Sequence, residues 1–392
     1  MRVVSADLDA EVAGTSQGDT LEVSAWRGGA LVAGSLLVSA WSLSWDVSRD
    51  VQGQATFTVQ DPDGVLAPWS LSDPLGPGGS QLQVAWLSGT SGIRVPLGWW
   101  RIRRSAPTEQ WLTYGTSAGP VRVPGGAWVQ VQADEALMAS ASICRMDSEA
   151  VPSGATVYGE IARILRDYGA VDTSSGPSDV AVQGAYVYPE SRSASVGDLL
   201  DMAYAVGRAG PDGSLQVLPV AGVGPVWTVQ GGADGALVGF ARQLDDAGTY
   251  NAATSKGTTT AGVPLVGRAY VTTGPLAYGG PFGKVPMFHQ AIATTQSGVD
   301  ADAATLLANQ VTAGTVDLSV TCLAHPGVQL HDLVTVVAPT TAGDASLVGR
   351  VVAMSWASAQ SDSGTTPGKA MTLTVRVSAD ALEAVAAQVR RG

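Results

Sequence analysis

The sequence predicts a mainly β protein with α+β parts: strand-rich segments at both ends and a mixed segment between them. Three observations carry this. Apolar and polar residues alternate by twos in run after run, only a few segments switch to helical spacing, and clusters of Gly, Pro and Asp cut the alternating runs short. Side chains on a strand point to opposite faces in turn, so period two means one buried and one wetted face. Many short strands between regular turn signals indicate a barrel or sandwich. The expected domains are 1–145, β-barrel-like; 146–245, α+β; and 246–392, a second β-barrel-like domain with a helix and a C-terminal helix.

Residues 1–18 carry no pattern, and strand signals begin at Thr20–Trp26 and resume after Arg27-Gly28-Gly29. The stretch Ser35–Trp86 is the most regular. Trp41, Leu43, Trp45 and Val47 alternate with Ser42, Ser44, Asp46 and Ser48; Ala55, Phe57 and Val59 with Gln54, Thr56, Thr58 and Gln60; Leu82, Val84 and Trp86 with Gln81, Gln83 and Ala85. Asp50 with Gly53, Pro62-Asp63-Gly64 and the cluster Pro74–Gly79 mark the turns. Ile93–Arg104 and Ala127–Ala133 complete six or seven strands.

The period then changes. Val157, Ile161, Ile164, Leu165 and Tyr168 repeat at helical spacing, and Gly169 stops that helix. Ser195 and Asp198 stand three apart like a capping box opening a second helix, which Gly207 ends. A turn at Pro211-Asp212-Gly213 and a strand Ser214–Val220 follow. Strands return from Thr249. A third helix, Asp300–Val311, is capped by Ser297 or Asp300, and strands follow at Val316–Cys322, Val328–Val337, Leu347–Ser358 and Met371–Val377. Ser378 caps a last helix with Leu382, Val385 and Val389 inward, and no repeat of 20–50 residues is present.

Composition removes several function classes. The 392 residues carry a formal net charge of −12, which gives no global attraction for nucleic-acid phosphates. Lysine occurs only at Lys256, Lys284 and Lys369; the Arg-, Ala-, Gly- and Val-rich composition reads as GC-rich coding bias. Cys144 and Cys322 lie far apart in apolar contexts, so buried thiols are expected rather than a disulfide framework. The first residues are acidic and lack an apolar run, so no signal peptide is expected, and no run is long enough for a membrane span.

The motifs that suggest chemistry each fail on context. Gly115–Gly119 (GTSAG) matches a serine-hydrolase elbow, but Pro120 and Pro124 prevent the helix that must follow. GGPFGKV (Gly279–Val285) lacks both ends of a phosphate loop. His325 and His331 flank a Pro-Gly turn at no zinc spacing and are expected to be solvated or hydrogen-bonded near a strand end. Asp147/Glu149 and Asp245/Asp246 read as loop carboxylates, and Asp61-Pro-Asp63-Gly64 lacks the downstream Glu of a calcium loop. No catalytic residue, cofactor or metal site is therefore predicted. The positive feature is Arg101, Arg103 and Arg104, on or beside the face opposite Trp100 and Ile102. They form either a solvated face or an intersubunit contact with the acidic surface of another copy. The eleven Trp residues, set at alternating strand positions, are expected in the core.

The run SWDVSRDVQGQATFTVQDPDGVLAPWSLSDPLGPGGSQLQVAW resembles the N-terminal part of tail hub (baseplate hub) proteins of long-tailed bacteriophages, particularly those of actinobacteria. SVGDLLDMAYAVGRAGPDGSLQVLP, PVWTVQGGADGALVGFARQLDDAGTYNAAT and YGGPFGKVPMFHQAIATTQSGVDADAATLLANQ with VQLHDLVTVV are similar to later passages of that family, in the same order. Gln329-Leu330-His331-Asp332 departs from it, where a Pro/Gly-Asp turn is commoner. The resemblance implies a non-enzymatic homotrimer with two tail-tube-type barrel domains per chain. That ring joins the tail tube or distal tail protein and the tape measure protein to the tail tip or fibre proteins. DNA would pass through its lumen without specific binding, past an acidic wall. The implied location is the virion tail tip, assembled in the host cytoplasm. Because Gly392 follows soon after the last helix, no cell-wall-cleaving extension is expected. The alternatives are a tail-associated cell-wall hydrolase and a carbohydrate-binding receptor module.

Overall fold

A computed structural model of the chain describes residues 8, 11–12 and 19–389, apart from 118, 147–148, 183–186, 233–234, 244–248, 292, 311–314, 341–342 and 362–363. The fold is mainly β, as the alternation indicates. Seven strands come first: β1 (Thr20–Arg27), β2 (Ala30–Ala33), β3 (Leu37–Asp46), β4 (Gly53–Asp61), β5 (Ser80–Leu87), β6 (Arg94–Thr116) and β7 (Gly119–Glu135). Helix α1 (Ala136–Ile143) leads into a small unit of α2 (Val157–Leu165), β8 (Val171–Asp172), α3 (Arg192–Met202), β9 (Ala205–Ala209) and β10 (Leu215–Pro219). After β11 (Pro225–Gln230) and β12 (Leu237–Gln243) comes a second small unit: β13 (Ala252–Thr258), β14 (Pro264–Tyr270), β15 (Pro286–Gln290) and α4 (Gln296–Gln310). The chain closes with β16 (Thr315–Leu323), β17 (Leu333–Thr340), β18 (Gly343–Ser361), β19 (Gly364–Ser378) and α5 (Ala379–Val389).

The two strand-rich ends run into one 13-stranded sheet. The join is β3 against β18, antiparallel, with Trp45 opposite Met354 and Leu43 opposite Trp356. β11 and β12, from within the 146–245 segment, pair with β17 and β16. The apolar parity of each strand builds one contiguous core across both ends, including Phe57, Val84, Val131, Val320, Val336 and Leu373. Trp41 meets Trp356 edge to face at 5.3 Å across the join. Such aromatic pairs contribute about 0.5–1.5 kcal/mol beyond their burial. A second core, around Ile161, Leu165, Tyr188, Leu199 and Val217, belongs to the first α+β unit.

Several local readings shift. The second helix starts earlier than the Ser195 box predicts: Ser191 is its cap, accepting from the Ala194 N–H, while the Ser195 hydroxyl donates back to the Ser191 carbonyl. The third helix begins at Gln296 rather than Asp300, because the Thr295 hydroxyl accepts from the Gly298 N–H; Val311 lies outside the described residues. Val328–Leu330 does not begin β17. Asp332 turns that segment into a loop by accepting from the Gln329 N–H, and His331 sits at φ 65°. α4 lies close on β14, where a Cβ at Gly267 would come within 2.1 Å of the Val299 carbonyl oxygen.

Candidate functional site

Two projections and one broad face stand out. β6 and β7 run far past the strands predicted for them and form a hairpin whose tip is Thr116 opposite Gly119. The serine of GTSAG is therefore in a hairpin tip, not on a strand-to-helix elbow. Pro107, Pro120 and Pro124 argue against strands, yet they are accommodated where the paired strands leave the sheet and have no outer neighbour to satisfy. Trp111, Leu112, Tyr114 and Val121 are exposed along this arm. A two-stranded ribbon is marginally stable alone, and grouped exposed aromatics mark contact surfaces.

Beside the arm's base lies the loop between β4 and β5. Asp61 ends β4 opposite Ala127 of β7, and its buried carboxylate accepts from the N–H groups of Val65, Leu66 and Ala67 at 3.1, 2.7 and 2.9 Å. Asp73 accepts from the N–H groups of Trp69 and Ser70, which holds its carboxyl below the usual range. The Asp-rich run is thus a loop-shaping device. It holds Trp69 at 85% exposure, with Val65 and Leu71 also exposed. The expectation that the tryptophans fill the core fails for Trp69, Trp111 and Trp128, which are exposed, and for Trp26 and Trp99, which are half-buried. Trp69 and Trp111 lie outside any alternating run, while Trp128 falls on the wetted parity of its strand.

The broad face is the wetted side of the large sheet. Register aligns Thr321, Thr372, Ser355, Ser44, Gln54, Asp134, Arg101, Gln81 and Trp26 into one row over nine strands. Neighbouring hydroxyls on it bond each other, as Ser42 and Thr56 do at 3.1 Å. The predicted arginines divide here. Arg101 donates to the Ser140 hydroxyl on α1 at 3.0 Å, and a β-bulge between Ile102 and Arg104 leaves Arg103 exposed, 3.8 Å from Asp134. Arg104 is exposed opposite Gln132.

Where the two ends and the first α+β unit meet, charge is buried. Arg208 of β9 donates to Asp332 at 2.7 Å and to the Leu330 carbonyl at 2.8 Å. Glu135, at the end of β7, lies buried against Trp100 and Gly53, and desolvation pushes its carboxyl up to about 7. Both histidines are buried; His325 is hydrogen-bonded, in line with the expectation, and His331 departs from it. The Gly327 N–H donates to His325 Nδ1, while neither ring nitrogen of His331 has a hydrogen-bond partner among the described residues. Burial, with Arg350 and Arg208 nearby, pushes His331 down to about 3. Cys322 is buried and its thiol is pushed up to about 12, whereas Cys144 is only half-buried. Among the described residues no helix is long and apolar enough to cross a membrane.

No protein-family profile matches the chain, and no curated protein is similar to it. Solved structures are similar in fold. A tail protein from Neisseria meningitidis superposes with a TM-score of 0.61 at 16% identity, over 91% of this chain and 96% of that one. The 43 kDa tail protein of prophage MuSo2 from Shewanella oneidensis gives 0.52 at 12%, over 92% and 98%. The prophage tail protein gp18 from Listeria monocytogenes gives 0.51 at 13%, over 95% and 100%.

Proposed function

We propose that this chain is a structural, non-enzymatic component of a phage-type tail: a trimeric hub joining the tail tube and tape measure protein to the tip or fibre proteins. The carrying observation is the likeness in fold, over more than nine-tenths of both chains, to three tail proteins. The surfaces support the same reading. A long, uncharged-rich polar face suits a wall past which DNA slides, since phosphates are held by clustered Lys and Arg. The arm and the Trp69 loop suit contacts with other tail components, because large exposed aromatics become hot spots when buried in a partner. Exposed Arg103 and Arg104 suit an intersubunit contact with acidic surface of another copy.

The test is mass in solution by light scattering, with mass spectrometry of purified tail particles. Three copies per assembly and presence in the particles are expected. A strictly monomeric chain that is absent from particles overturns the reading. The hydrolase alternative loses its elbow to the hairpin tip.

A further inference from the structure

A cleft of about 330 Å³ separates the outer face of the large sheet from the first α+β unit. It lies at the end of the polar row, where Gln81 pairs with Trp26. Trp26 and Trp99 stand on one side, half-buried, their rings edge to face at 5.6 Å and 68°. Tyr168 and the turn Asp212–Ser214 line the cleft from the α+β unit. Both indoles belong to the sheet's wetted parity: Trp26 opposes Gln81, and Trp99 opposes Gln83, while the core takes Trp100 and Leu82. They are therefore not core residues left over at an edge. They are aromatic surface set where the sheet otherwise carries amides and hydroxyls.

The polar groups beside them are the Arg27 guanidinium, one nitrogen of which donates to the Ser72 carbonyl, the Gln81 carboxamide, the Asp212 carboxylate and the Tyr168 and Ser214 hydroxyls. Asp212 spends one oxygen, Oδ1, on the Ser214 N–H and hydroxyl, and Oδ2 makes neither of these bonds. Gly213 brings the turn against the indole: at φ 86°, a Cβ there would meet Trp99 Cδ1 at 3.3 Å. The volume lies at the low end of ligand sites, roughly 300–1,000 Å³, and such sites favour crevices between structural units. One guanidinium and one carboxylate balance in charge, and the chain is acidic overall, so a phosphorylated ligand gains nothing here. Single-stranded nucleic acid needs a basic track beside its stacking rings, which the cleft lacks. What fits is a neutral ligand with an apolar face for indole and a rim of hydroxyls for amide, guanidinium and carboxylate.

We infer that this cleft binds a neutral pyranose saccharide, with Trp26 and Trp99 taking the sugar face and Asp212, Gln81 and Arg27 its hydroxyls. The inference is independent of whether the chain forms a trimer. The test titrates the full chain with chitotriose, maltotriose and cellotriose, reading tryptophan emission and saturation-transfer NMR. Trp26→Ala, Asp212→Asn and, as a control on the hairpin arm, Trp111→Ala are compared after thermal melts confirm that each is folded. Expected is saturable binding of at least one sugar, weakened tenfold or more by Trp26→Ala, weakened by Asp212→Asn and unchanged by Trp111→Ala. No saturable binding of any of the three sugars overturns the inference. So does binding that Trp26→Ala and Asp212→Asn leave intact.

Discussion

Glu135 provides the sharpest test of the packing. Its carboxyl is buried where β7 ends, and burial raises it from 4.5 to about 7. Because the folded value is raised, the folded chain holds this proton where the unfolded chain has lost it. The contribution to stability is therefore present below pH 4.5 and is lost as pH rises to 7. At 1.36 kcal/mol per pH unit the loss totals about 3 kcal/mol, of which about 2 kcal/mol or more falls between pH 5 and 8. Glu135→Gln keeps the shape and removes the ionisation. Urea denaturation at pH 5, 6.5 and 8, followed by tryptophan emission, measures the difference. The variant should lie within about 1 kcal/mol of wild type at pH 5 and gain on it steadily to pH 8. Curves that stay parallel across that range would show that Glu135 is hydrated in the folded chain and would refute the buried-carboxyl reasoning.

Other perturbations separate the remaining devices. His331 titrates in the opposite sense: its folded value, about 3, lies below the unfolded 6.5. Stability is thus lost as pH falls from 6.5 toward 3, and His331→Asn, which tolerates the left-handed backbone, should flatten the acid limb of a melting-temperature profile. Asp332→Ala strands the buried Arg208 charge and should cost about 3–5 kcal/mol in urea, with Arg208→Ala/Asp332→Ala less damaging than the sum of the two singles. Asp61→Ala removes the acceptor of three N–H groups. It should cost roughly 2–4 kcal/mol and open the loop between β4 and β5 to limited proteolysis, with resistance equal to wild type counting against a held loop.

The regular strands were legible because one face of each is buried, and burial of a pleated surface imposes period two. Trp41, Leu43, Trp45, Phe57 and Val84 all sit inside as their parity requires. The extended hairpin was not legible: a two-stranded ribbon exposed on both sides has no buried parity, and its prolines and glycines read as loop. Helix caps slipped because several neighbouring Ser and Thr residues can serve, and only geometry selects Ser191 over Ser195 or Thr295 over Ser297. Buried polar groups such as Glu135, Arg208 and His331 were illegible for another reason. Their burial comes from packing between segments distant along the chain, as in Glu135 against Gly53 and Arg208 with Asp332.

The pairing of β3 with β18 changes what the alternation means. Within one strand, Ser42 and Ser44 are only the wetted residues of a half-buried segment. Once β18 docks, Ser44 stands between Ser355 and Gln54, and Thr372 and Thr321 continue the row into the other end of the chain. Two stretches separated by some three hundred residues therefore contribute to one surface that is mostly hydroxyl and amide. The charged residues of that row are Asp134 and Arg101, and Arg101 is tied to Ser140 on α1. A surface built for tight protein contact would concentrate aromatics and Arg, as interface cores do. The row carries one of each, Arg101 and, at its end, Trp26, while Trp111, Tyr114 and Trp69 lie exposed on the hairpin arm and on the loop between β4 and β5. The exposed aromatics of the projections thus stand apart from the long row, which is mostly hydroxyl and amide.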